Sequence, residues 1–450
     1  MNKPSLLEDY LEKYSAGNNW HLIAGNIENI SQVVVIPAYA EKEMLFSTLA
    51  SLALNNPVSL EYSLILCVIN NKSDTPSEHV SNNQTTIKYL DALVRKEGLG
   101  KFNSDQKIYP QLLKIADTQL KLSYIDASSK GCEMPLRDGG VGIARKIGMD
   151  MALRLLNISL VGKKLIISLD ADTLVQPNYL STIKNYFTPK IKTAIIAYEH
   201  QMPEDYEGQA AICCYEIFLR YWVLGLKYAK SPWAFHSIGS TIVTSTGAYL
   251  QVRGMNKRKA GEDFYFLNKL AKTGSIDYIR ETCVFPSARS SSRVPFGTGK
   301  AIERFLSGEK QAHLLYDPKI FTVIAQWLEF MNNAILLNED EILHEAHRIN
   351  PALKSFLVDN RFADTWSNIR RNAKEEKTRR HHFNDWFDGF KTFKLIKYLT
   401  RTVYPQIDMF DALAEILTLI GMPVSKINIQ TKIPNMEAQV ELLQYLRKIT

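Results

Sequence analysis

Residues Leu165–Thr173 read LIISLDADT, inside the longer run KKLIISLDADTLVQPNYL from Lys163 to Leu180. An aliphatic stretch ends in two aspartates, Asp170 and Asp172, separated only by Ala171. Such a run, bounded by polar residues, reads as a buried strand. Side chains alternate along a strand, so both carboxylates fall on one side if the strand continues through them. Two like charges there repel each other and lose hydration. A divalent cation with oxygen ligands removes that cost and can bridge to the phosphates of a nucleotide. An Asp-x-Asp triplet also suits a helix N-cap or a turn. Its place after LIISL is what favours the metal.

The chain on either side repeats the same grammar. QVVVIPAY (32–39) is a strand stopped near Pro37, and EKEMLFSTLASLALNN (41–56) has helical period, with Leu45, Leu49, Leu52 and Ala53 on one face. YSLILCVINNKSD, LKLSYIDASSKG, KKLIISLDAD (the fourth strand signal) and AIIAYEH are further strand signals, with helical stretches among them. Strands that are nearly continuous apolar runs, alternating with helices, predict a Rossmann-like, mostly parallel sheet flanked by helices. In such sheets ligands bind beyond the carboxyl ends of the strands. The polar ends PAYAEKE, NNKSD, DASSKG and DADT are then expected to face one crevice.

After about residue 300 the segments IFTVIAQWLEFMNNAILL, EDEILHEAHRI, FNDWFDGFKTFKLIKYL and MFDALAEILTLIGM all favour helix. The expectation is a catalytic domain over 1–300 and a mainly α-helical region over 301–450. The length of 450 residues and a hydrophobic share of 46% with 22% charged suit about two globular domains. The five cysteines are scattered and odd in number, which points to a reducing compartment. The opening MNKPSLLEDYLEKYSAG does not read as a signal peptide. The longest apolar segment, AAICCYEIFLRYWVLGLKYA from Ala210, is interrupted by Glu216 and Arg220 and reads as a buried helix rather than a membrane span. A cytoplasmic protein is expected.

The net charge is +7, and nearly all of the excess lies between Trp366 and Arg401, with ten Lys/Arg against four Asp/Glu. That run is either a solvated helix face or a patch for an anionic acceptor or lipid, which leaves peripheral contact with the inner face of the membrane open. No nucleic-acid partner is expected. His381 and His382, adjacent in this basic run, read as surface residues rather than metal ligands.

Two further stretches carry chemistry. GGVGIARKIGMD (139–150) is a glycine-led loop entering a helix, where backbone and dipole favour an anion. It is not the dinucleotide fingerprint, since no acidic ribose-binding residue is clearly placed after a following strand. Arg145 either contacts a bound anion or pairs with a local aspartate. Glu262 and Asp263, in AGEDFYFLNKLAKTG, are either an acidic pair favoured by a helix dipole or a general base for an acceptor hydroxyl. Gly239, Ser240 and Gly247 are small enough to form a floor under a ligand. Arg289, Arg293 and Lys300 lie in a loop suited either to closing over a diphosphate or to a basic surface linker.

These motifs, in this order over residues 31–300, resemble the family 2 glycosyltransferases, which have the A-type nucleotide-sugar fold. VVVIPAYAEKEMLFSTLASL resembles that family's first strand and helix, NNKSD its nucleoside loop, GGVGIARKIGMD its glycine-plus-Arg helix start, LDADTLVQPNYL its metal motif and AGEDF its later acidic motif. Ala40 stands where the family usually has Asn, and Asn70 and Asn71 stand where it usually has an acidic residue. The resemblance implies donor contacts from Pro37, Tyr39, Glu41, Asn71, Asp74, Arg145, Asp170 and Ala171. It implies Mn2+ or Mg2+ on Asp172, with Asp170 a second ligand or a ribose or sugar contact. It implies Asp263 as the base, with Glu262 orienting it or binding acceptor. The expected reaction moves a sugar from a nucleotide donor, a UDP-sugar by family habit, to a glycan, lipid-linked or small-molecule hydroxyl acceptor, with inversion. A retaining transferase, a nucleotidyltransferase and a non-catalytic nucleotide-sugar scaffold are the alternatives. The intact acidic residues speak against the last.

Overall fold

The computed structural model describes residues 5–17, 19–137, 139–159, 162–290, 297–308, 313–422 and 434–450. The chain divides into two compact units: residues 1–201 with 237–287, and 202–236 with 288–450.

The first unit is built on a nine-stranded sheet of order β1-β4-β3-β2-β5-β8-β7-β9-β6. The strands are β1 Leu22–Ala24, β2 Gln32–Ala38, β3 Ser63–Asn70, β4 Lys121–Ala127, β5 Leu165–Ser168, β6 Thr173–Val175, β7 Thr193–Tyr198, β8 Ile242–Ser245 and β9 Asp277–Pro286. Strands β2, β3, β4, β5, β7 and β9 run in one direction, and β1, β6 and β8 run against them. Every residue of β2, β3 and β5 is buried, which is why they read as continuous apolar runs.

The chain lays β3 and β4 on one side of β2, then crosses to lay β5 on the other. The strand order therefore reverses between β2 and β5, the place where open sheets of this kind bind ligands. The last β2–β5 pair is Val35 with Ser168, so Tyr39 and Asp170 leave neighbouring strand ends. The helix Val141–Ile158 packs on β2, β3 and β5. Its Lys146 and Asp150 enter a buried network. Asp150 accepts from the Tyr10 hydroxyl at 2.5 Å, the Tyr249 hydroxyl at 2.7 Å and the Ala16 N–H at 2.7 Å. Lys146 Nζ lies 3.4 Å from Asp150 and donates to Tyr10 at 2.7 Å.

Three strands were not anticipated. β1 and β6 have only three residues each. In β9 the pairing with β7 jumps from Ile196–Ile279 to Ala197–Cys283, so Arg280, Glu281 and Thr282 bulge out and break the apolar pattern. LIIS is therefore the fifth strand rather than the fourth.

The second unit is helical, apart from the short pair Leu314–Leu315 with Ile407–Asp408 among the described residues. Its core joins Ile217, Tyr221 and Leu224 of the helix Tyr206–Tyr228 to Phe321, Trp327, Leu413 and Leu443. The units divide at residues 201, 236 and 287. Residues 202–236 belong with the helical unit because the apolar face of Tyr206–Tyr228 is buried there. Glu216 and Arg220, which argued against a membrane span, pair with each other at 2.7 Å, and Arg447 reaches Glu216 at 2.8 Å. No helix among the described residues is long and apolar enough to cross a membrane.

The Asp150 network yields a stability prediction. Asp150→Ala leaves Lys146 charged and buried without its carboxylate, an effect of about 3–5 kcal/mol. Urea unfolding of the variant is expected to show a loss of that size.

Candidate active site

The strand β5 ends at Ser168, and Asp170 and Asp172 lie beyond it around a turn at Ala171–Asp172. The two carboxylates are therefore not successive residues on one face of a strand, as alternation suggested. The turn itself is held from several directions. Thr48 Oγ1 donates to the Ala171 carbonyl at 2.9 Å, and Ser287 N and Gln201 Nε2 donate to the Asp172 carbonyl at 3.2 and 3.3 Å.

Arg145 is the centre of the site. Its side chain is 3% exposed, and its Nη2 lies 2.8 Å from Asp170 Oδ1 and 3.3 Å from Glu262 Oε1. Its Nη1 donates to Ser168 Oγ and to the Gly239 carbonyl. A Cβ at residue 239 would stand 2.6 Å from Nη2, so a larger residue there would force the guanidinium to shift. Ser240 Oγ completes the arrangement, donating to Asp170 Oδ2 at 2.5 Å. Of the two readings of Arg145, the pairing with a local aspartate is the contact present.

Glu262 and Asp263 open the helix Glu262–Ala271, after Gly261. Glu262 is buried, and burial pushes its carboxyl up to about 7, with Arg145 opposing the rise and Asp263 adding to it. Asp263 is half-buried, and its Oδ1 accepts from the Phe264 N–H at 2.7 Å. Burial raises its carboxyl as well, while that N–H and Arg145 hold it down. Asp170, Glu262 and Asp263 thus face a single guanidinium and remain short of positive charge.

The residues expected from the first two strands have separate situations. Pro37 is buried in β2, paired with Val68. The Tyr39 hydroxyl is hydrogen-bonded to His79 Nδ1 at 2.9 Å. Glu41 precedes the helix Lys42–Ala53. Ala40 has φ +53°, a left-handed conformation to which Asn is better suited than Ala, and its N–H donates to Asn83 Oδ1. Asn71 is 2% exposed, and its amide is engaged: Oδ1 accepts from Asn83 and Ser128, and Nδ2 donates to the Lys72 carbonyl. Asp74 is exposed and pairs with Lys72 at 3.1 Å.

The glycine-led loop is filled by the chain itself. A Cβ at Gly142 would stand 2.2 Å from the Arg258 carbonyl oxygen, so this glycine admits the 256–258 backbone. Gly247 has open space around its Cβ position and, unlike Gly239, does not touch Arg145. Arg293 lies outside the described residues, and Lys300 pairs with Glu303. His381 and His382 are exposed, with His381 3.5 Å from Asp385. Ser168 and Thr48 went unnoticed in the sequence; a lone serine closing an all-apolar strand was the available signal.

Among the described residues no group of three or more His, Cys, Asp or Glu forms a metal cage. The donor set Asp170 and Asp172 fits the other mode, in which one or two carboxylates share a divalent cation with substrate phosphates.

No protein-family profile matches the chain, and no curated protein resembles it in sequence. Solved structures do. S. aureus TarS 1–349 is 13% identical, over 79% of this chain and 91% of that one, with TM-score 0.34. Its complex with UDP-GlcNAc is 12% identical over the same shares, with TM-score 0.36. The mannosyltransferase PcManGT from Pyrobaculum calidifontis, in complex with GDP-Man and Mn2+, is 12% identical over 84% of this chain and 92% of that one, with TM-score 0.35. Likenesses this distant carry no conclusion about activity, which rests on the chain's own residues.

The shifted carboxyl of Glu262 gives a prediction of definite sign. With a folded value of about 7 against an ordinary 4.5, the folded state binds more protons than the unfolded one between those limits. This group therefore subtracts stability as pH rises through that window. Glu262→Gln removes the contribution, so the variant's stability relative to wild type is expected to rise from pH 4.5 to pH 7. Thermal melts across the window measure it, and a difference independent of pH would contradict it.

Proposed function

We propose that the chain is a metal-dependent glycosyltransferase of the family 2 kind, moving a sugar from a nucleoside-diphosphate donor to a hydroxyl acceptor with inversion. The observation that supports this reading is the convergence on Arg145 of two acidic motifs that lie some ninety residues apart in sequence. Asp170 comes from the end of β5 and Glu262 from the start of a helix, and both pair with one guanidinium. A scaffold has no need for this concentration of buried charge. The reversal of strand order between β2 and β5 supplies the crevice.

In this reading Asp172, with Asp170 beside it, holds Mn2+ or Mg2+. When bound, the cation neutralises charge on the departing nucleoside diphosphate. Asp263 accepts the proton of the acceptor hydroxyl. Its raised carboxyl makes it a stronger base than an ordinary aspartate. Glu262, held by Arg145, fixes the start of the helix that carries Asp263. Arg145 orients both acidic motifs. Tyr39, Glu41 and Asp74 sit at or beyond the strand ends, where the donor's nucleoside belongs. UDP is the donor base that the resemblance favours.

A thermal-shift screen of nucleotide sugars, with and without Mn2+, tests donor binding. Donor at about a hundred times its Kd adds about 2.7 kcal/mol of stability. Asp172→Ala is expected to abolish metal-dependent release of nucleoside diphosphate, and Asp263→Asn to slow transfer by about a hundredfold or more without loss of donor binding. Full activity of Asp172→Ala at saturating donor would refute the metal assignment. NMR of the product's anomeric carbon separates inversion from retention, and pyrophosphate release would point to nucleotidyl transfer instead.

A further inference from the structure

The helix Gly389–Thr402, GFKTFKLIKYLTRT, contains no acidic residue. It buries Thr392, Leu395, Ile396 and Leu399 in the helical unit. Lys394, Lys397 and Arg401 are exposed and, at spacings of three and four, share one face. Some exposed cations of other helices sit beside an acid of their own helix, as Lys13 does with Asp9, Arg95 with Asp91 and Arg348 with Glu345. Among the described residues no carboxylate lies within ion-pair reach of Lys394, Lys397 or Arg401.

Aromatic rings line the same helix. Lys391 lies 4.0 Å above the Trp386 ring, Lys394 4.7 Å above Phe390 and Lys397 5.9 Å from Phe393. All three rings are half-buried. The ammonium groups themselves lie over or near these rings, so the cations cover an amphipathic aromatic surface of the kind found at a bilayer interface.

We propose that this face docks the protein on an anionic lipid surface. The three unpaired cations supply the attraction to acidic headgroups. When the ammonium groups turn to those headgroups, the rings beneath them are uncovered to the interface. The rings are stacked under lysines and packed from below, which suits a bilayer better than the free stacking platforms of a nucleic-acid groove. The proposal is independent of the transferase reading, since no residue of the candidate site takes part.

The test is sedimentation of the full chain with vesicles of phosphatidylcholine alone and of phosphatidylcholine mixed with phosphatidylglycerol. Binding is expected only with phosphatidylglycerol, and weaker at higher salt. The triple variant Lys394→Glu, Lys397→Glu, Arg401→Glu is expected to lose about tenfold or more in affinity. A control, Lys88→Glu, Lys114→Glu, Lys190→Glu, makes the same change of net charge on exposed positions of the sheet unit and is expected to lose much less. A glutamine version of the first variant, with an unchanged melting temperature, excludes unfolding as the cause. Equal loss in both charge-reversed variants, indifference to phosphatidylglycerol, or tighter binding to a DNA duplex that the same variant loses would each overturn the proposal.

Discussion

The structure of the first unit depends on how a buried guanidinium is satisfied. Arg145, with a side chain 3% exposed, has left water almost completely. A charge in that position is tolerable only when opposite charge and hydrogen-bond acceptors surround it. Its partners come from β5, from the turn after β5, from the segment entering β8 and from the helix Glu262–Ala271. No two of these segments are adjacent in sequence except β5 and its turn. The arginine therefore does two things at once: it closes the sheet unit around its own charge, and it sets the spacing of the acidic groups.

That spacing has an electrostatic consequence. Asp170, with a side chain 34% exposed, keeps contact with water, whereas Glu262 is 5% exposed. One guanidinium cannot stabilise ionised Asp170, Glu262 and Asp263 equally. The most buried member yields, and the Glu262 carboxyl rises to about 7. Near neutrality the cluster thus holds a proton that it can gain or lose. The residual negative charge is complementary to a divalent cation.

Much of this was legible in the sequence, for reasons that differ by element. β2, β3 and β5 are buried on both faces, so their apolar runs carried the fold directly. The LDAD and GED motifs stood out because charge abruptly follows apolar or glycine residues. Strand direction was not legible: β8 is antiparallel to β5 and β7, and nothing in IVTS encodes its orientation. The helix Tyr206–Tyr228 was read as buried, but a periodic pattern does not reveal which unit covers it. Arg145 was ambiguous because a guanidinium that pairs with carboxylates and one that meets phosphate leave the same mark in sequence.

The helix that carries Arg145 also explains how its geometry is fixed. Apolar packing on β2, β3 and β5 would hold the helix Val141–Ile158 near the sheet but specifies its rotation and axial position only loosely. Successive residues, Arg145 and Lys146, point away from one another into two buried polar networks. Arg145 reaches Asp170 at 2.8 Å on one flank. On the other, Lys146 and Asp150 meet Tyr10 and Tyr249 through hydrogen bonds of 2.5–2.7 Å. A slide of one residue would move the helix by about 1.5 Å and break both sets together. The Tyr10–Asp150 network thus contributes to the candidate site without entering it. It fixes the helix along its axis, and so fixes where the guanidinium meets the two acidic motifs.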